Sequence, residues 1–129
     1  MKKNYLILLL LSVFVMGINT SFAEDKILSK DEVVALFTDK TFDGIQVVKN
    51  KKFSTFSSSD GKFVIHYPNG KEKSRYWRVN NDGEHCVSKK EGKGGRCSVV
   101  KSVGGGVYHK ITNDEHTHTL KNFVAGNQL

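Results

Sequence analysis

Five histidines, two cysteines and clustered lysines are the residues of this 129-residue chain whose types could carry chemistry. His116-Thr117-His118 alternates two imidazoles, so both are expected on one face of an extended strand, where they would offer two metal ligands. His109 lies one element earlier, which makes His109, His116 and His118 a candidate zinc or copper set, with His66 as another third ligand. The competing reading is histidines on a solvated strand. An acid–base pair of ribonuclease type, His85 or His109 with a phosphate-holding lysine, is permitted, but no motif selects it. There is no Gly-x-Ser-x-Gly elbow for a serine nucleophile. The glycines at 92–95 and 104–106 lack the strand, spacing and lysine of a phosphate-cradling loop. No catalytic residue and no cofactor is therefore expected.

The lysines point to binding. Lys89, Lys90, Lys93 and Arg96 crowd one glycine-rich loop, and Lys71, Lys73 and Arg75 crowd the start of an extended run. With Tyr76 and Trp77 nearby, a mixed cationic and aromatic face would suit an anionic ligand such as a glycan or lipid head group. Trp77 itself is expected in the core, because it alternates with Val79.

These residues need elements to hold them, and the chain first declares where it goes. Residues 1–23 read as a secretory signal peptide: Lys2 and Lys3 lead an apolar run over 5–18, broken by Ser12 and Gly17, and Ser21-Phe22-Ala23 offers a cleavage site. The run is shorter than a spanning helix needs, and no cysteine stands near the cut to be lipidated. The expected product is a periplasmic or secreted domain over 24–129, with no stable membrane anchor after cleavage. Nucleic acid is not an expected partner; an anionic envelope component or another exported protein is. Losing Lys2 and Lys3 leaves 18 basic and 13 acidic residues, so the surplus of positive charge survives export. In an oxidising compartment Cys86 and Cys97 read as one disulfide.

The 106 residues from Glu24 suit one domain. Leu28-Ser29-Lys30-Asp31-Glu32-Val33 contains a capping box and a hydrophobic staple, which predicts a helix from Lys30 to about Phe37 with Val33, Leu36 and Phe37 inward. After Thr41 the pattern becomes short β segments punctuated by Asp43-Gly44, Asp60-Gly61, Asn69-Gly70 and Asp82-Gly83, with Asn50-Lys51 a weaker signal. Strands are expected at 45–48, 52–57, 62–67, 71–79, 84–88, 96–102, 107–111 and 117–124. Phe63, Ile65 and Tyr67 share one face; Arg75, Trp77 and Val79 share another, with Arg75 at its open end. The fold class is mainly β: an antiparallel meander of seven or eight short strands forming a small barrel or strongly curved sheet, with one short N-terminal helix. Cys86 and Cys97 would then staple the hairpin that carries the basic loop.

The order of these short elements resembles a family of small exported bacterial proteins, the domain of unknown function 995 type. The resemblance rests on Leu28-Ser29 opening a helix, Thr41-Phe42-Asp43-Gly44, Trp77-Arg78-Val79 with Asp82-Gly83 and Cys86, then Cys97, Val107-Tyr108 and Gly126-Asn127. It implies a compact β-rich exported domain and supplies no catalytic residue. Three functional expectations follow: a non-enzymatic envelope-binding domain first, then a metal-binding protein or small hydrolase using the histidines, and an inhibitor of an envelope-targeting hydrolase.

Overall fold

The structure, a computed structural model, describes residues 25–129. The segment read as a signal peptide lies outside the described residues. Helix α1 (Lys30–Phe37) begins as its sequence dictates: Glu32 N–H donates to Ser29 Oγ at 3.2 Å, and Ser29 N–H donates to Glu32 Oε1 at 2.8 Å. Lys26 Nζ donates to Glu32 Oε2 at 2.7 Å. That bond, with the one from Ser29, holds the Glu32 carboxyl down at about 2. Val33 and Phe37 are buried, and Leu36 packs beside them. Two turns of helix cannot persist alone in water; this one lays its apolar side across one end of a sheet.

The strands are β1 (Lys26–Ile27), β2 (Lys40–Gln46), β3 (Lys51–Ser57), β4 (Lys62–His66), β5 (Glu72–Val79), β6 (His85–Ser88), β7 (Arg96–Ser102), β8 (Tyr108–Thr112) and β9 (Glu115–Ala125). Each strand from β2 to β9 pairs antiparallel with the next, and β9 returns to β2 to close an eight-stranded barrel. Closure removes the open edges that a meander would otherwise present. Strand β1 lies along β7 at Lys101 and Ser102, just beyond the stretch of β7 that pairs with β6.

One turn signal fails. Asp43-Gly44 lies within β2, and the chain reverses over residues 47–50, where Asn50 takes a positive φ of 52°. Gly44 serves packing instead: a Cβ there would fall 2.3 Å from Phe53 Cζ, so only glycine lets the Phe53 ring lie against β2. Asp60-Gly61, Asn69-Gly70 and Asp82-Gly83 do make turns, each closed by the glycine N–H donating to the carbonyl three residues back.

An up-and-down order sorts the connections between two ends. The turns after β3, β5 and β7 lie at the helix end, where Lys30 Nζ reaches Asn81 Oδ1. The connections after β2, β4, β6 and β8 form the other end. The helix end is filled by aromatic packing: Phe37 meets the edges of Phe42 (5.5 Å) and Phe123 (5.8 Å), and Phe42 stacks on Phe123 at 4.6 Å. Trp77 belongs to this cluster, 6.1 Å from Phe37, and its Nε1 donates to the Ser58 carbonyl at 2.8 Å. A bulge in β9, with Asn122 at φ 60°, turns both Leu120 and Phe123 inward. Cys86 and Cys97 stand directly opposite on β6 and β7 and form a disulfide. They alternate with His85, Val87, Arg96 and Ser98, which face the barrel interior.

Candidate functional site: a cation-walled barrel cavity

Above the aromatic floor the barrel is hollow. Its cavity has a volume of about 980 Å³ and opens at the end away from α1. That size accommodates a small organic molecule. The walls follow from strand alternation: Phe53 on β3, Ile65 on β4 and Val87 on β6 make an apolar side, while Ser98 on β7, Lys110 on β8 and His118 on β9 make a polar one.

The rim is built from charge. Lys49 lies in the β2–β3 turn and Lys51 opens β3, Lys73 and Arg75 stand on β5, Lys89, Lys90 and Lys93 ride on the β6–β7 loop, and Arg96 starts β7. Against these eight cations the lining offers one carboxylate, Glu115. Lys51 Nζ lies 4.4 Å from the centre of the Tyr67 ring and Lys73 Nζ 5.4 Å, so the phenol face helps hold two cations close together. The loop is tied at its base: Ser88 Oγ donates to the Lys90 carbonyl at 2.7 Å, and Arg78 Nη2 donates to the Gly94 carbonyl at 3.2 Å. Gly95 permits the return, since a Cβ there would sit 2.1 Å from the Val87 carbonyl oxygen.

Deeper in, three nitrogen-bearing side chains change character. Lys110 is only 8% exposed, and burial pushes its ammonium down from 10.5 to about 8. His118 is pushed down to about 4 by burial, then by the charges of Lys110, Arg96 and His116. His85 is fully buried and held well below its usual range by loss of water, then by Lys110 and His118. Its ring stacks on Phe37 at 3.8 Å, and neither ring nitrogen has a hydrogen-bond partner.

The structure brings Lys89, Lys90, Lys93 and Arg96 together at the cavity mouth, with Lys73 and Arg75, while Lys71 does not line it. Arg75 stands at the open end and Trp77 in the core, as the alternation required. The aromatic partner differs from expectation. Tyr76 faces away from the interior side of β5, and Tyr67 takes its place beside the lysines.

The histidines divide between two surfaces. Thr117 is an extra residue in β9, opposite the step between Lys110 and Ile111 on β8, so His118 faces Lys110 inside while His116 pairs with Ile111. His116 stacks on His109, ring centres 3.7 Å apart, outside the cavity. The one-face reading of His116 and His118 assumed an unbroken strand, and the bulge removes that assumption. Among the described residues no three His, Cys, Asp or Glu side chains gather into a metal-holding group.

Sequence reasoning missed Lys110 and the inward placement of His85 and His118. A signal for Lys110 existed: Tyr108, Lys110 and Thr112 alternate, so an inward Tyr108 carries Lys110 inward with it. Comparison of the chain with protein families, curated proteins and solved structures gives no match.

Proposed function

We propose that this protein is an exported, non-enzymatic domain that binds a small anionic ligand in its barrel at the cell envelope. The observation that carries the reading is the charge of the cavity: eight cations at the mouth against Glu115 alone. A concave site walled in one sign of charge concentrates ions of the other sign and speeds their capture. Lys89, Lys90, Lys93 and Arg96 act as the collecting rim, and the Cys86–Cys97 disulfide fixes the base of the loop that presents them. The disulfide also supports an oxidising, periplasmic or secreted location. The resemblance to the domain of unknown function 995 type is part of this proposal and rests on the Trp77-Arg78-Val79, Asp82-Gly83, Cys86 and Cys97 order.

The test is titration with the anionic dye anilinonaphthalene sulfonate, followed by fluorescence at increasing salt. Binding that weakens as salt rises, and falls at least about tenfold when Lys89, Lys90, Lys93 and Arg96 are all changed to glutamine, is expected. An absence of binding at low salt overturns the reading. Export is checked by sequencing the N-terminus of the protein released from expressing cells, with Glu24 the expected first residue.

A further inference from the structure

A rim of lysines explains capture but not the interior. Buried polar groups are almost always paired, and those left unpaired call for an explanation. Among the described residues, Thr55 Oγ1, Ser57 Oγ and Arg78 Nη1 are such atoms away from the cavity lining, and the two ring nitrogens of His85 are the ones that belong to it. Lys110 Nζ has no hydrogen bond or ion pair with any described residue, although the side chain is buried and lines the cavity. His85 contributes two unpartnered ring nitrogens at the cavity floor. His118 lies directly across the β8–β9 ladder from Lys110. The facing wall is apolar, made of Phe53, Ile65 and Val87.

We propose that Lys110, with His118 beside it and His85 beneath, forms a deep subsite for the acid group of an amphiphilic ligand whose apolar body lies against Phe53, Ile65 and Val87. This deepens the anionic-ligand reading and rests on it: the rim draws the ligand in, and Lys110 fixes which end goes down. The acid is a carboxylate or a phosphate monoester, since either offers oxygens to an ammonium and to imidazole N–H groups. The charge states suit the task. With Lys110 at about 8 and His118 at about 4, the lysine is mostly cationic at neutral pH and the histidine neutral. The single Lys110 charge matches a carboxylate and leaves no buried charge unpaired, whereas a phosphate monoester, with nearly two charges at neutral pH, would draw on the rim cations as well. The cavity, at about 980 Å³, has room for an eight-carbon chain.

The experiment is calorimetric titration of the protein at neutral pH with octanoate, octyl phosphate and octan-1-ol. These three probes share a body and differ in head group. The unmodified protein is expected to prefer at least one acid over the alcohol by about tenfold or more; which acid is stronger identifies the head group. Lys110→Met should bring the acid and alcohol affinities within about twofold of each other while alcohol binding is unchanged or tighter. A rim variant, Lys90→Gln with Lys93→Gln, should weaken acid binding and flatten its salt dependence while keeping the preference for acid. His118→Gln provides a second reading of the same subsite, with acid affinity lowered several-fold and alcohol affinity unchanged.

If Lys110→Met and His118→Gln keep the full acid preference while the rim variant erases it, the acid sits at the mouth. The deep subsite is then overturned and the anionic-ligand reading stands. If the unmodified protein binds no acid at low salt, or prefers the alcohol, both are overturned.

Discussion

Replacing Lys110 with methionine is expected to stabilise the fold by an amount that fades as the pH rises. In the unfolded chain the ammonium titrates at its usual 10.5, whereas burial in the barrel pushes it to about 8. Between these two values the unfolded chain holds more protons than the folded one, so the stability of the natural protein increases with pH there. Below about pH 8 the fold carries the whole cost of a charged, buried and unpaired ammonium. At 1.36 kcal/mol for each tenfold difference in proton affinity, that cost is about 3 kcal/mol. Methionine keeps most of the lysine stem and its apolar contacts and removes the charge. Urea unfolding at neutral pH should therefore show a midpoint higher by roughly 2 M, for a slope of about 1.5 kcal/mol per M. Repeating the measurement in steps up to about pH 10.5 should bring the two midpoints together as the natural lysine loses its proton in both states. A variant that is less stable at neutral pH would refute the reasoning, as would a gain that stays flat across the range. The first result would mean Lys110 is paired; the second would mean its ammonium remains in water. A cation kept at such a cost is the pattern of a functional group maintained at the expense of stability.

Acid should weaken the fold through the interior histidines. His118 at about 4 and His85 well below 6.5 both resist protonation when folded, so stability is full above about pH 6.5 and declines as the pH falls toward 4. Changing His118 to glutamine should remove about 1–2 kcal/mol of that decline, allowing for its partial contact with solvent, as read from thermal unfolding at stepped pH; an unchanged acid slope would count against it. Reducing the Cys86–Cys97 bond, or replacing both residues with alanine, should cost roughly 3 kcal/mol in chemical unfolding, because a short loop regains its freedom in the unfolded chain. Gly44→Ala should destabilise by about 1–3 kcal/mol, since the new methyl group must displace the Phe53 ring. The double variant Gly44→Ala with Phe53→Leu should recover part of that loss, and additivity of the two changes would sink the contact as its cause.

Much of the fold was legible because it rests on local rules. Ser29 and Glu32 announced the helix start, since a capping box needs only four residues to be recognised. Phe63, Ile65 and Tyr67 announced a strand face, and Arg75 announced its open end, because side chains alternate strictly in an extended chain. The cysteines flanking the basic loop announced its staple. Legibility failed where one residue broke a local period. Gly44 looked like part of a turn because its neighbour is aspartate, while its actual reason for being glycine is the ring of Phe53 on the next strand. His116 and His118 appeared to share a face because nothing in His-Thr-His marks Thr117 as a bulge.

The sequence by itself determined the kinds of element, their order, the disulfide and the placing of the basic residues on one loop. These depend on propensity, alternation and capping, which act over a few residues. Tertiary structure alone decided that the sheet closes, that β9 meets β2, and that the interior above Phe42 and Phe123 is hollow. Closure joins residues about eighty positions apart, and no local pattern encodes that pairing. It also decided the meaning of the lysines. Connections that alternate between two ends bring Lys49, Lys73 and Lys90 to one mouth from distant parts of the chain, and the same closure carries Lys110 inside. A charge run read along the sequence is a solvated loop; gathered around a cavity by a closed barrel, it becomes the wall of a site.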